Sequence, residues 1–335
     1  MRQVEVALAA NPYPVLIGSG ALAELVDFLS GTAVVIADRA VPPLPEPVLR
    51  SLATVAIEGG EGAKTMAGLE SLLASIAEHR VGRDGTIVAV GGGTVGDLAG
   101  FAASVWLRGV ALVQVPTTLL AMVDSAIGGK TGVNTPSAKN AIGAFWQPRA
   151  VLVDTRFLDT LPREQLEGGW AEVVKYAMTL DAGIADLEDL EEVIERCVLC
   201  KATVVSADER EAGPREVLNY GHTVGHAIEA ASGYGIHHGR AVAWGMRVAA
   251  RISVDMGLCD PMVEAEQDRL LAAHGLPGER PKVTAEAVLA AAGGDKKSRG
   301  GRLRWVLLRG LGRAETGREV PDEVVAGAVA GILER

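Results

Sequence analysis

Four of the six histidines in the chain, His222, His226, His237 and His238, crowd into positions 222–238. His222 and His226 are spaced i and i+4 in a helical pattern, which sets both imidazoles on one face. His-x-x-x-His is a zinc spacing. The protease form needs Glu directly after the first His, however, and Thr223 stands there. Upstream, Gly169-Trp170-Ala171-Glu172-Val173-Val174-Lys175 offers a carboxylate and an ammonium one helical turn apart. One carboxylate and two imidazoles, with coordination positions left over, suit a divalent cation that polarises substrate oxygens. The spacing leaves open which two histidines would serve. Any one of them could instead be a packed or capping residue.

A second group of residues is suited to anions. The β-branched run Thr86–Val90 leads straight into Gly91-Gly92-Gly93-Thr94-Val95-Gly96-Asp97 and then a helical pattern. Glycines at such a junction let backbone N–H groups approach a phosphate at a helix N-terminus. Gly91, Gly93 and Gly96 fit G-x-G-x-x-G, but the motif follows several earlier strands, whereas the usual dinucleotide fingerprint lies at the first strand–helix turn. A tight turn is the plainer reading of the same glycines. Asp38, ending the strand Ala33–Ala37, could accept from a ribose hydroxyl or cap a helix. Asp124-Ser125-Ala126-Ile127-Gly128-Gly129-Lys130-Thr131 fails as a phosphate-binding P-loop, because Asp124 stands where a glycine is required. What survives is a glycine-flanked Lys130, with Lys139 and Asn140 close behind.

Further cations are Lys201, Arg215 and the run Asp295-Lys296-Lys297-Ser298-Arg299. On an acidic chain they could face a polyanionic substrate, although solvated surface is the plainer reading for Lys297 and Arg299. Cys197-Val198-Leu199-Cys200 lies inside a helical stretch without the strand-to-helix turn of a redox motif, and reads as helix packing.

These groups must be held by ordered elements, and the texture of the chain says which. Strands are expected at Val4–Ala9, Pro14–Ile17, Ala33–Ala37, Thr54–Ile57, Thr86–Val90, Leu112–Val115 and Val151–Val153, with helices at Met66–His79 and Val95–Trp106. Several strands are continuous apolar runs, as expected when a parallel sheet is covered on both faces. Beyond Asp154 long amphipathic stretches take over: Leu166–Met178, Leu187–Ser206, Arg215–Ala231, Ala241–Met256 and Pro261–Ala273, with one strand at Leu303–Leu308. Two domains, 1–154 and 155–335, are therefore expected, the first α/β and the second mainly helical.

Composition narrows the class. The formal net charge is −10, against nucleic-acid binding as a main role. Three cysteines are too few for a disulfide framework. No apolar run is long enough to span a membrane and the N-terminus has no signal-like apolar segment, so a cytoplasmic protein is expected.

Taken together, the segments 91–110, 115–134, 139–148, 168–177, 218–229, 237–239 and 293–299 resemble the 3-dehydroquinate synthase family of sugar phosphate cyclases. The resemblance implies a Rossmann-like NAD-binding α/β domain, a mainly α-helical metal-binding domain and a homodimer. It implies zinc or cobalt on Glu172, His222 and His238, with His226 contacting substrate. It implies NAD against Asp38, Glu61, Lys64, Gly92, Gly93, Thr94, Val95, Gly96, Asp97, Thr117, Thr118, Lys130, Lys139, Phe157, Leu158, Asp159 and Thr160. Substrate or catalytic roles would fall to Asp124, Lys130, Asn140, Lys175, Lys201, Arg215, Asn219, His226 and Lys296, and Arg108 would reach the phosphate held by a partner subunit. The implied reaction turns 3-deoxy-D-arabino-heptulosonate 7-phosphate into 3-dehydroquinate and phosphate, with NAD recycled.

Three departures stand out: Arg240 follows His238-Gly239 where relatives carry a small or acidic residue, Trp170 replaces a common methionine, and Ala40 replaces a polar residue. Arg240 could raise anion affinity beside the metal or point away from it. Competing readings are a 2-epi-5-epi-valiolone synthase, an amino-sugar variant, a metal-dependent polyol dehydrogenase and a non-catalytic NAD-binding regulator. Lys201, Arg215, Gly128-Gly129-Lys130 and Asp295-Lys296-Lys297 favour a carboxylated substrate.

Overall fold

The computed structural model describes residues 1–42, 47–136, 138–298 and 303–334, with side chains throughout except at 48 and 294–298. In chain order the strands are β1 (Arg2–Val6), β2 (Tyr13–Ile17), β3 (Ala33–Asp38), β4 (Ala53–Ile57), β5 (Thr86–Gly91), β6 (Ala111–Pro116), β7 (Lys130–Thr135), β8 (Ala138–Phe145), β9 (Ala150–Val153), β10 (Trp305–Gly310) and β11 (Arg313–Arg318). The helices are α1 (Pro47–Ser51), α2 (Met66–Glu78), α3 (Gly93–Val105), α4 (Arg163–Thr179), α5 (Leu190–Ala207), α6 (His222–Ala231), α7 (His238–Asp255), α8 (Pro261–Ala273), α9 (Ala285–Ser298) and α10 (Asp322–Leu333).

Two compact units emerge. One comprises Met1–Pro162 and Asp189–Arg210, the other Arg163–Glu188 and Glu211–Arg335. The sequence suggests a single cut at 154/155. The units instead interleave, because α5 packs against β1 and β2 of the first unit. Arg2 on β1 fixes that helix by ion pairs to Asp189 and Glu195 at 3.0 and 2.6 Å.

The first unit is built on a seven-stranded sheet of order β1-β2-β9-β6-β5-β3-β4, parallel except for β1. Its interior strands are Val/Ile/Leu runs buried on both faces, which explains why they are legible as unbroken apolar stretches. From β3 onward the strands run in the doubly wound order 2-1-3-4-5. Chain progression reverses between β3 and β5, and ligands of such sheets bind beyond the carboxyl ends of the strands at that reversal. Asp38 ends β3 and Gly91 ends β5, so both sit there. The glycine motif comes late because β5 is the third strand of this order.

The hairpin β7–β8 is not anticipated from the sequence. Its outer strand is exposed almost throughout and shows no apolar alternation. It is held by the close approach of α3: a Cβ added at Gly100 would lie 2.5 Å from Thr131 Cγ2.

The second unit is helical, with the β10–β11 hairpin against it. Its core gathers Val224 and Ile228 of α6, Trp244, Val248 and Ile252 of α7, Val288 of α9, Leu307 of β10 and Val329 of α10. The continuous helix expected over Arg215–Ala231 is broken. A 3₁₀ turn covers Pro214–Asn219, and α6 starts afresh at His222 after Gly221, whose φ of +79° suits glycine.

Gly100→Val should test the α3–β7 packing. Overpacking of about 1–3 kcal/mol is expected, read as a lower urea midpoint; an unchanged midpoint would mean that the helix and hairpin do not depend on this approach.

Candidate active site

Small residues bring three helices of the second unit together. A Cβ at Gly239 of α7 would lie 2.3 Å from Gly168 Cα of α4, and one at Gly245 would lie 2.0 Å from the Gly221 carbonyl at the start of α6. Only glycine permits these contacts. They carry Glu172 on α4, His222 at the first position of α6 and His238 at the first position of α7 to one point. The Nε2 atoms of His222 and His238 lie 3.6 and 3.8 Å from Glu172 Oε1, and the two rings are 5.4 Å apart. The three ligand atoms form one of two clusters with metal-binding spacing among the described residues.

The electrostatics fit a cation. Glu172 is fully buried, and neither carboxylate oxygen accepts a hydrogen bond; the Lys175 ammonium, one turn along, pairs with it. With one ammonium at Oε2 and no hydrogen bond at Oε1, the buried carboxylate is costly unless a further cation completes it. Burial holds His222 well below the ordinary histidine pKa, helped by the charges of Lys175, His226 and His238. It is therefore neutral at pH 7, as a ligand must be. Its Nδ1 lies 3.2 Å from the Tyr220 carbonyl oxygen, which leaves Nε2 for the cation.

His226, one turn beyond His222, is exposed at the rim, its ring 5.3 Å from that of His222. The i, i+4 spacing therefore does not identify the pair that meets the carboxylate, since His238 arrives from a separate helix. Asn219, in the turn before α6, donates from Nδ2 to Glu211 at 3.3 Å. Arg215 is buried in the same turn. Lys296 belongs to α9, but its side chain lies outside the described residues.

The departures find their partners here. Arg240 donates to Glu167 at 2.8 Å, lies 3.5 Å from Glu164, and holds the Glu167 carboxyl below its usual range. Its charge is thus committed to α4. Trp170 stacks on His274, with centroids 3.7 Å apart.

In the first unit Asp38, the Gly92–Asp97 turn, Thr117, Thr118 and residues 157–160 lie at or just after the carboxyl ends of β3, β5, β6 and β9, whereas Lys130 and Lys139 belong to the separate β7–β8 hairpin. The N-terminus of α3 begins at Gly92 with no side-chain cap, so its first amides are open to a ligand. None of the glycines at 91, 92, 93 and 96 has positive φ. They serve close packing: a Cβ at Gly91 would meet Val95 at 2.7 Å, one at Gly93 the Ser125 hydroxyl at 2.9 Å, and one at Gly96 Gln114 at 2.9 Å. The tight-turn reading therefore holds of these residues, and the α3 amides beside them have no side-chain cap. Thr117 N–H donates to the Gly91 carbonyl, and Thr118 Oγ1 accepts from Ala121 N–H. Asp38 accepts from the Ala40 amide at 2.9 Å, so its own turn engages one of its oxygens. Phe157, Leu158, Asp159 and Thr160 form a 3₁₀ turn after β9, capped by Asp154.

Lys64 is buried between Asp97 at the start of α3 and Asn140 on β8, pairing with the first and donating to the second. Burial raises the Asp97 carboxyl while the Lys64 ammonium pulls it down. Glu61 accepts from Asn134 Nδ2 at 2.6 Å, so the 61–64 turn is tied to the β7–β8 hairpin. No sequence pattern marks this coupling, because the exposed hairpin strand shows no apolar alternation. Lys201 of α5 is buried and donates to Asp124, through both its carbonyl and its carboxylate. Lys130, Lys139 and Arg108 are exposed, the last in a turn with φ of +69°.

Comparison with known proteins places this geometry among relatives. Residues 54–168 match the family model described as 3-dehydroquinate synthase N-terminal, and 169–298 match that described as 3-dehydroquinate synthase C-terminal. The chain is 43% identical to the 3-dehydroquinate synthase of Acidithiobacillus ferrooxidans, covering 100% of this chain and 99% of that protein. It is 41% identical to that of a Synechococcus species, covering 100% and 98%. Among solved structures, 2-deoxy-scyllo-inosose synthase complexed with carbaglucose-6-phosphate, NAD+ and Co2+ superposes with a TM-score of 0.89 at 30% identity, covering 99% and 100%. A 2-epi-5-epi-valiolone synthase from Streptomyces hygroscopicus with NAD+ and Zn2+ bound gives 0.88 at 27%, covering 98% and 99%. A probable glycerol dehydrogenase from Sinorhizobium meliloti, at 18% identity and a TM-score of 0.60, shares the fold alone.

The depressed His222 sets a pH dependence for the metal-free protein. Below the unfolded value of about 6.5 the unfolded chain takes up a proton that the folded chain refuses, so stability is present above that pH and is lost as pH falls. The urea midpoint should drop between pH 7.5 and 5.5, and less so in His222→Asn. Equal slopes in the two proteins would contradict the assignment.

Proposed function

The chain belongs to the 3-dehydroquinate synthase family, and we propose that it converts 3-deoxy-D-arabino-heptulosonate 7-phosphate to 3-dehydroquinate and phosphate. The observation that carries the proposal is the convergence of Glu172, His222 and His238 around a buried carboxylate that lacks hydrogen bonds. Shared family membership supplies the substrate.

The conversion requires transient oxidation at C5, loss of phosphate, reduction, ring opening and an intramolecular aldol closure. When bound, nicotinamide supplies reversible hydride exchange and a divalent cation, Zn or Co, polarises oxygen. The two groups are those bound by the structural relatives. NAD is regenerated, so there is no net redox change, and the eliminative cleavage of the carbon–oxygen bond to phosphate makes the enzyme a carbon–oxygen lyase. Glu172, His222 and His238 would hold the cation.

The chain's own residues do the rest by position and charge. The open amides of α3 from Gly92 onward receive the cofactor's pyrophosphate, with Asp38 at the neighbouring strand end for its ribose. Lys64 is fixed between Asp97 and Asn140, which orients the Asn140 amide for substrate. Lys130, Lys296 and the partner's Arg108 neutralise the phosphate, to which Asn140 and His226 donate hydrogen bonds, and Lys201 and Arg215 neutralise the carboxylate. Asp124 holds the buried Lys201 ammonium until a substrate carboxylate competes for it. Lys175 balances the charge of Glu172 and has an N–H in place for a substrate hydroxyl. Asn219 orients substrate from the turn before α6. Family membership likewise supports a homodimer working in the cytoplasm.

Purified protein given the heptulosonate phosphate, NAD+ and Zn²⁺ should release one phosphate per 3-dehydroquinate, identified by NMR, with no net rise in NADH absorbance. Lys130→Ala should lower kcat/KM by about 100-fold or more while the unfolding midpoint stays put. Stoichiometric NADH accumulation without phosphate release would instead indicate a polyol dehydrogenase.

A further inference from the structure

Glu229 is a buried carboxylate that no step above uses. It lies on α6 seven residues after His222, two turns along the same face, and is 3% exposed. It also sits in the last turn of the helix, where the macrodipole disfavours negative charge. Helix stability does not explain an acid there.

Its partner does. Glu229 Oε2 lies 3.2 Å from Nδ1 of His238, on the side of the ring away from Glu172. An ionised carboxylate can only accept hydrogen bonds. It therefore fixes the proton of His238 on Nδ1 and leaves the lone pair on Nε2, the atom 3.8 Å from Glu172. His222 receives the same treatment from a neutral peptide carbonyl, that of Tyr220. The two imidazoles are thus oriented by unequal acceptors. A charged acceptor raises the basicity of the imidazole it holds.

We propose that Glu229 is a positioning residue of the cation centre: it locks the tautomer and the ring orientation of His238 and makes it the stronger imidazole donor. The proposal rests on the reading of Glu172, His222 and His238 as cation ligands. The same geometry admits one rival. His226, Glu229 and His238 also have ligand atoms within 4.8 Å of one another, a spacing that could hold an ion of its own. The direct contact between Glu229 and His238 argues against that rival, because a cation between the two atoms would need the hydrogen bond broken.

The test is cation binding, not turnover. Zn²⁺ affinity is measured by chelator competition on wild type, Glu229→Gln and Glu229→Ala, together with the visible spectrum of each Co²⁺-loaded protein. Wild type should bind one cation per chain. Glu229→Ala should bind about 10–100-fold more weakly, with a shifted Co²⁺ spectrum and an unchanged far-UV circular dichroism spectrum. Glu229→Gln keeps the volume and an acceptor oxygen but loses the charge, and should fall between the two. Wild-type affinity and spectrum in both variants would overturn the proposal while leaving the cation centre intact. Two cations per wild-type chain, falling to one in Glu229→Ala with the remaining affinity unchanged, would make Glu229 a ligand and also overturn it. A wild-type chain that binds no cation would remove the underlying reading as well.

Discussion

The structure turns on a carboxylate kept out of water. Glu172 lies fully buried in the middle of α4, without a hydrogen bond on either oxygen. A charge in that position costs several kcal/mol unless other charges answer it. Lys175 answers part of it from the same helix. Imidazoles acting as lone-pair donors cannot, but those of His222 and His238 are placed to share a cation with it. The second unit tolerates the expense because what it obtains is a centre whose donors are fixed before any ligand arrives.

Backbone approach enforces that fixity. α4, α6 and α7 come close enough only where glycine faces backbone, at Gly168, Gly221, Gly239 and Gly245. Each of the two imidazoles that meet Glu172 occupies the first position of its helix, so the helix starts, and not long side-chain reach, set where they lie. The Arg240 ion pair to Glu167 ties the first turn of α7 to α4 beside the Gly168–Gly239 contact. In the first unit the same economy applies. The glycines at the uncapped start of α3 are those that let it lie close to β6 and its own first turn.

Much of this was legible in the sequence, for identifiable reasons. Strands buried on both faces announce themselves as unbroken apolar runs, as β2, β3, β5, β6 and β9 do, while the largely exposed edge strand β4 is marked by its β-branched residues. The hairpin β7–β8 escaped because exposure erases the alternation that marks a strand. The break before α6 had one local signal, Gly221, and the apolar spacing on either side of it masked that signal. The interleaving of α5 with the first unit had none, since the ion pairs of Arg2 to Asp189 and Glu195 span most of the first unit's sequence. The histidine cluster points to a metal centre, but helical spacing leaves open which two imidazoles meet the carboxylate, and it is His222 and His238 that do. Only the resemblance to a family named His238. Glu229 carries no motif of its own, although its distance of two helical turns from His222 places it on the same face.

X-ray absorption at the zinc edge of the loaded protein addresses the centre most directly. Oxygen and nitrogen scatterers only, with the multiple scattering of two imidazoles that falls to one in His238→Ala, are the expected result. A sulfur shell, or a spectrum indifferent to the loss of His238, would contradict the account at its base.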